Sequence, residues 1–184
     1  MLYIIKKTIN TKTNEVNEIF KKYDNTHSLL LKQLDKICEK ENNIYILKNK
    51  YENNSNYTYY NGVILIISNF LNSSNKFFLT EKKFNKIDYD TINFKNRITN
   101  YKQIMSSMLS NDNNNIINAY INSIINIISI SYEEDYYNMK TNKLFNLSGK
   151  KYIYNDYNKI ISIELEYMTT LYNIVQYIQN TLEV

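Results

Sequence analysis

The chain has 184 residues, of which 43% are hydrophobic and 22% charged, and a formal net charge of +4 at pH 7. This length suits one domain, and this apolar content is typical of globular rather than disordered proteins. The chain has no proline, no tryptophan, two glycines and one cysteine. These counts exclude an intramolecular disulfide and any glycine-rich phosphate loop. We therefore expect one folded domain spanning residues 1–184.

Residue usage follows codon composition, because asparagine, isoleucine, lysine and tyrosine are abundant whereas Ala119 and Arg97 are the single residues of their types. This pattern indicates an AT-rich genome, and we favour a large virus as its source. Tyrosine abundance is therefore weak evidence for a base-stacking surface. The longest apolar run, 63–67, is far shorter than the ~20 residues of a membrane span, and no secretory signal opens the chain. We expect an intracellular, cytoplasmic protein.

Helical spacing of apolar residues predicts two helices in the first part of the chain. The first begins near Thr13, a plausible cap, and the second spans about 26–40. Their apolar positions are Val16, Ile19, Phe20 and Tyr23, then Leu30, Leu34, Ile37 and Cys38. Cys38 is accordingly interpreted as a small buried core residue.

Two segments carry the pattern of β-hairpins. Asn61-Gly62 separates the β-prone stretches 57–60 and 63–67, and Ser148-Gly149 stands within a similar stretch at 143–154. Asn-Gly favours a two-residue hairpin turn because both turn positions need positive φ. The sequence thus predicts a small antiparallel sheet built from hairpins at 57–67 and 143–154, with Ile44 to Leu47 as a further β-prone run.

Helix is predicted for most of the remaining chain. One stripe of large apolar residues defines a helix over about 91–109: Phe94, Ile98, Tyr101, Met105 and Met108. Asp112 is a candidate cap for the next segment, 116–130, which is apolar nearly all round and is predicted to be the central buried helix. A final helix over 156–182 should pack against it. The predicted fold is α+β and mostly helical, with five or six helices around helix 116–130; an all-α bundle is the alternative.

Candidate catalytic groups are few. His27 is the single histidine, so zinc sites built from histidine and cysteine pairs are excluded. Eleven residues separate it from Cys38 on one predicted helix, which is too far for the two to form a catalytic dyad. The remaining candidate catalytic residues are mainly acidic. They are Glu133, Glu134 and Asp135, and Asp88, Asp90 and Lys140 could join them in a metal site. We interpret these acids as solvated turn and helix-end charges. The prediction is a protein without a cofactor or metal, and a non-enzymatic one.

Charge is distributed unevenly along the chain. Residues 1–100 hold sixteen Lys and Arg against ten Asp and Glu, a net of +6, whereas residues 101–184 hold six against eight, a net of −2. The candidate basic surface comprises Lys6, Lys7, Lys12, Lys21, Lys22, Lys82, Lys83, Lys86, Lys95 and Arg97.

Two functional hypotheses follow from the sequence. The first is an interaction protein that binds a protein partner, as an accessory factor of a virus with an AT-rich genome or as a subunit of a larger assembly. The alternative is a basic accessory subunit of a nucleic-acid or ribonucleoprotein complex, with lysines on phosphates.

Overall fold

A computed structural model describes the backbone of residues 2–73, 94–141 and 147–183, and the side chains within 18–73, 99–128 and 162–183. These residues form five helices and a two-stranded antiparallel sheet, which is the mostly helical α+β fold that the sequence predicts. The elements are α1 (Leu2–Ile37), β1 (Cys38–Glu41), β2 (Ile44–Leu47), a 3₁₀ turn (Asn49–Tyr51), α2 (Tyr57–Asn72), α3 (Phe94–Ser106), α4 (Ile116–Thr141) and α5 (Leu147–Leu182).

Helix α1 is continuous where the sequence predicts two helices. Thr26, at the predicted break, donates its hydroxyl to the carbonyl of Lys22, 2.9 Å away, which is a bond within a helix rather than a cap. No proline or glycine interrupts the segment, so the backbone has no reason to stop there. The helix ends at Ile37, and Cys38 therefore begins a strand; it is buried, as predicted.

Helices α1 and α5, each of 36 residues, make the most extensive contact between any two elements in the described residues. The Gln33 side chain donates a hydrogen bond to the Gln176 side chain at 2.6 Å. Tyr23 lies close enough to Glu164 for the charge of that carboxylate to raise the pKa of the tyrosine. Residues further along α1 thus meet residues further along α5, so the two helices run parallel. On α1, Tyr23, Leu30 and Ile37 recur every seven residues and are buried, a repeat that keeps one face of a long helix against its neighbour.

The hairpin of the structure is β1–β2, and its turn is Asn42-Asn43. Both asparagines have positive φ, 51° and 68°, the conformation that a two-residue turn demands and that asparagine tolerates better than most residues. The β-prone run Ile44–Leu47 is confirmed as a strand. Its partner Cys38–Glu41 escaped prediction because three of its four side chains are polar and exposed.

The predicted hairpin at 57–67 is wrong, since these residues belong to α2. Gly62 is exposed and does not have positive φ. The deciding feature is helical spacing: Tyr60, Val63, Ile64 and Ile67 form one buried face. Burial of that face outweighs the local turn preference of Asn-Gly, so tertiary packing selects the helix.

Asn61 is one of four polar side chains on one side of α2 that hydrogen-bond the β1–β2 hairpin. They bond the edge of β2 that faces away from β1, so α2 pairs backbone groups of that strand which β1 does not reach. The Asn61 Oδ1 accepts the Leu47 N–H at 3.2 Å, and the Ser68 hydroxyl oxygen accepts the Tyr45 N–H at 3.0 Å. Tyr57 and Asn72, on the same side of α2, donate to the carbonyls of Leu47 and Asn43.

The predicted hairpin at 143–154 is also wrong where the structure describes it. Residues 147–154 are the first turns of α5, and residues 143–146 lie outside the described part. Gly149 falls in the first turn of α5, where the backbone N–H groups lack helical partners in any case and a glycine does little harm.

Helix α4 buries one face rather than its whole circumference. Ile117, Ile121, Ile124 and Ile128 are at most 1% exposed and pack toward α3 and α5. The predicted contact between this helix and the final helix is confirmed, as are buried Tyr101, Met105 and Met108 on the preceding stripe. The central position predicted for 116–130 belongs instead to α5, which contacts α1, α2 and α4.

Candidate functional site

The outer side of α4 exposes apolar side chains next to its buried face. Ile116 is 48% exposed and Ile127 is 40% exposed, with half-buried Tyr120 and exposed Ser123 between them. At 100° per residue these four positions fall within a sector of roughly 60°, and the two isoleucines lie about 16 Å apart along the helix axis. We call Ile116, Tyr120, Ser123 and Ile127 the α4 flank.

The loop before α4 fixes the start of this helix. The Asn115 Oδ1 accepts the Ile117 N–H at 2.9 Å, so Asn115 is the N-cap. Asp112 is therefore not the cap that the sequence predicts; its carboxylate accepts the Asn114 N–H within the loop. Buried Asn118 donates to the carbonyls of Ser110 and Asp112, which holds the loop against the first turn of α4.

Tyr59 ties the same loop to α2. Its hydroxyl donates to the Met108 carbonyl at 2.8 Å, and burial raises the pKa of this phenol. Asn115 thus caps the helix that carries Ile116, and hydrogen bonds from Asn118 and Tyr59 hold the preceding loop.

The electrostatics of the α4 flank are unusual for this chain. Between Lys102 and Glu133, Asp112 is the single Asp, Glu, Lys, Arg or His. The polar side chains of α4 within 116–128 are neutral amides and hydroxyls, which both donate and accept hydrogen bonds. The four residues of the α4 flank are uncharged, so they can bind apolar and neutral polar groups.

A second polar feature lies inside the protein, where α1, α2, α3 and α5 meet. The Tyr101 hydroxyl donates to the Glu164 carboxylate at 2.6 Å, and both side chains are at most 3% exposed. The Tyr101 ring stacks on Tyr167 at 4.6 Å between centroids, and Phe70 packs edge-on against both rings. Glu164 and these rings form the buried tyrosine–glutamate cluster, with Tyr23 beside it.

Burial is the main cause of the pKa shifts in this cluster. It raises the pKa of Tyr23 and of Tyr167 well above the ordinary value of 10.0, and the charge of Glu164 raises both further. Within the described residues the Tyr167 hydroxyl has no hydrogen-bond partner. Tyr101 comes from α3 and Glu164 from α5, so their hydrogen bond and the stacked rings fix the position of one helix against the other.

Sequence reasoning missed Glu164, although a signal for it exists. This residue stands three positions after Ile161 and four before Met168, a spacing that places it on the same helix face as these two large apolar residues. A carboxylate on such a seam indicates a buried polar partner from another element, here Tyr101.

The candidate basic surface is only partly described. Lys21 and Lys22 are exposed on α1, and so are Lys32 and Lys36, which share its outer third. Acidic residues interrupt this stripe: the Glu18 carboxylate lies 3.6 Å from the Lys21 ammonium. The other members lie outside the described side chains, namely Lys6, Lys7, Lys12, Lys95 and Arg97 on described helices, and Lys82, Lys83 and Lys86 beyond the described residues.

Of the remaining candidate groups, the structure describes the side chains of His27 and Cys38. His27 is half-buried on α1, whereas burial of Cys38 on β1 raises the pKa of its thiol to about 12. Glu133, Glu134, Asp135 and Lys140 lie on α4 with side chains outside the described set, and Asp88 and Asp90 lie outside the described residues. Among the residues that can be searched, no three His, Cys, Asp or Glu side chains are grouped to hold a metal ion.

Comparison with known proteins gives no match: the chain matches no protein-family model, no curated protein and no solved structure. In the described part of the chain, no helix combines the length and hydropathy that crossing a membrane requires. A functional proposal therefore depends on the surface of this chain itself.

Proposed function

We propose that this chain is a non-enzymatic interaction protein that binds a protein partner through the α4 flank. The observation that carries the proposal is the pair Ile116 and Ile127, two large apolar side chains nearly half exposed on one face of a capped helix. Exposed apolar residues that line up on one face, rather than being scattered singly, are typical of docking surfaces.

The composition and the single cysteine are compatible with a cytoplasmic accessory factor of a virus with an AT-rich genome, or with a subunit of a larger assembly. Either role uses a binding surface and needs no chemistry. The neutrality of the α4 flank favours a partner with an apolar groove or an apolar helix face over a charged one.

The test is capture of partners by the tagged protein from cells that produce it, with and without nuclease, read by mass spectrometry. The informative variant is Ile116→Lys/Ile127→Lys, and the control is Leu65→Lys, because Leu65 is 43% exposed on a different helix, α2. A protein that survives nuclease, is captured by the wild type and the control, and is lost with the flank variant supports the proposal. Equal capture by all three proteins contradicts it.

A second candidate function is binding of nucleic acid by the basic surface. What favours it is the exposure of Lys21, Lys22, Lys32 and Lys36 on the outer side of one long helix. Glu18, Asp24 and Asp35 are exposed on the same helix and weaken the field of that surface. Partners that vanish on nuclease treatment, and binding that falls steeply with salt, would favour this function over the first.

A further inference from the structure

We infer that Asn61 is a covalent modification site of this chain: a deamidation site that helix α2 keeps unreactive and that reacts when the first turns of α2 open. Asn61 is the single asparagine of the chain that precedes a glycine. The inference does not depend on the α4 flank, because it concerns a different helix and a chemical change rather than a partner.

Deamidation at this site joins the Asn61 side chain to the main chain of the next residue. The Gly62 nitrogen attacks the Asn61 Cγ, and the side-chain amide leaves as ammonia with the proton that the Gly62 nitrogen loses, so a cyclic succinimide remains. Water then opens the ring at either of its two carbonyls and leaves aspartate or isoaspartate at position 61. Glycine favours the attack because it has no Cβ to shield its nitrogen and leaves the backbone free to bend.

The native conformation of Asn61 is unsuited to this attack. Asn61 and Gly62 lie within the first two turns of α2, where the backbone is helical, with ψ near −42°. The succinimide ring is nearly flat and includes the main-chain bond whose rotation is ψ, so its closure forces Asn61 far from that value. The Asn61 Oδ1 also accepts the Leu47 N–H at 3.2 Å, which directs the side-chain amide toward β2. Reaction therefore requires this hydrogen bond to break and the helix to unwind locally.

Local features stabilise this end of α2 only weakly. The N-cap residue, Asn56, makes no side-chain capping bond, and Gly62 in the helix interior lowers the stability of the helix further. Tertiary contacts hold this end instead, through buried Tyr60 and through Tyr57, whose hydroxyl donates to the Leu47 carbonyl. Segments of low local stability open without unfolding of the whole protein. We therefore expect the opening of these turns to set the rate of deamidation.

Refolding does not reverse the reaction at Asn61. Isoaspartate carries the main chain through its side-chain carboxyl group, which adds a methylene to the backbone of α2. The added atom moves Tyr60 out of line with Val63 and Ile64, which share its buried face. Aspartate instead places a negative charge in a half-buried position against β2. Either product weakens the contact between α2 and β2.

Peptide mapping of the full chain tests the site. The protein is incubated in mildly alkaline buffer, either native or unfolded in guanidinium chloride, and digested with trypsin. Deamidation is read by fragmentation mass spectrometry of the peptide 51–76, which follows Lys50 and ends at Lys76. We expect Asn61 to deamidate at least about ten-fold more slowly in the native protein than in the unfolded one. Equal rates at Asn61 in the two states overturn the inference.

Gly62→Ala tests the chemistry. The added methyl group shields the attacking nitrogen, so deamidation at Asn61 in guanidinium chloride should be at least about ten-fold slower than in the wild type. The folded protein tolerates the change, since a Cβ at position 62 meets nothing within 4 Å. If this variant reacts as fast as the wild type in guanidinium chloride, Gly62 is not the attacking residue and the inference is wrong.

Ile67→Val tests the control by α2. It deletes one methylene from the buried face of α2 without touching the reacting pair, and should speed deamidation of the native protein roughly two- to ten-fold. The matched control is Ile46→Val, the same change at a side chain that is 36% exposed, and it should leave the rate unchanged. A native rate that Ile67→Val does not raise, or that Ile46→Val raises equally, overturns the inference.

Discussion

The buried hydrogen bond between Tyr101 and Glu164 offers a matched pair of substitutions. Tyr101→Phe removes the hydroxyl that donates to the carboxylate at 2.6 Å while leaving the ring that stacks on Tyr167. A hydrogen bond to a charged group contributes about 1.5–3 kcal/mol, and its loss here leaves a carboxylate with fewer donors in a site that water does not reach. We expect the free energy of unfolding to fall by about 2 kcal/mol, and Tm by roughly 4–8 °C.

Tyr167→Phe is the control. Its hydroxyl is as buried as that of Tyr101 but has no hydrogen-bond partner in the described residues, so the native state gains little from it. Removing an unpaired buried hydroxyl should leave the free energy of unfolding unchanged or raise it slightly. Both substitutions delete one oxygen from a ring in the same cluster, so their difference isolates the hydrogen bond.

The assay is urea unfolding followed by circular dichroism at pH 7, with the midpoint and the slope m fitted for each protein. Equal m values show that the same surface is exposed in all three proteins. If Tyr167→Phe destabilised the protein as much as Tyr101→Phe, the carboxylate would not depend on Tyr101 and our account of the cluster would be refuted.

Three further predictions concern single sites. Gly62→Ala should raise the free energy of unfolding by roughly 0.5–1 kcal/mol in the same assay, because Gly62 lies in a helix where an added Cβ meets nothing within 4 Å; destabilisation would indicate the turn that the sequence predicts. Cys38 should react with iodoacetamide far more slowly in the native protein than in denaturant at pH 8, since its thiol is buried and its pKa is raised to about 12; equal rates would show that it is accessible. The pKa values of Tyr23 and Tyr167 are higher in the folded than in the unfolded chain, so their contribution to stability is complete below pH 10.0 and should decline above it; unfolding midpoints that stay constant from pH 9 to 11 would contradict this.

Helical periodicity was the most informative pattern in the sequence. It predicts that Leu30, Leu34 and Ile37 of α1 lie in the hydrophobic core, as do Met105 and Met108 at the end of α3. All five side chains are buried in the structure. Such patterns are readable because a helix repeats every 3.6 residues, so the burial of one side chain implies the burial of others on the same face.

The sequence predicts a two-residue hairpin turn with positive φ, and the structure has one at a different position. The principle that a tight hairpin needs residues tolerant of positive φ holds at Asn42-Asn43. The same principle misplaces the hairpin at Asn61-Gly62, because Asn61 serves as a hydrogen-bond acceptor for β2 from within α2. A local pattern cannot show that a side chain is needed by a strand fourteen residues earlier.

The sequence by itself determined the helical content, most of the buried positions and the neutrality of the segment between Lys102 and Glu133. The tertiary structure alone decided which apolar faces find partners. Ile117 and Ile127 have similar surroundings in the sequence, yet one is buried and the other is 40% exposed, because α3 and α5 cover only one side of α4. The tertiary structure likewise brought Glu164 to Tyr101 from another helix, since burial and hydrogen bonding depend on neighbours that the chain supplies from distant positions.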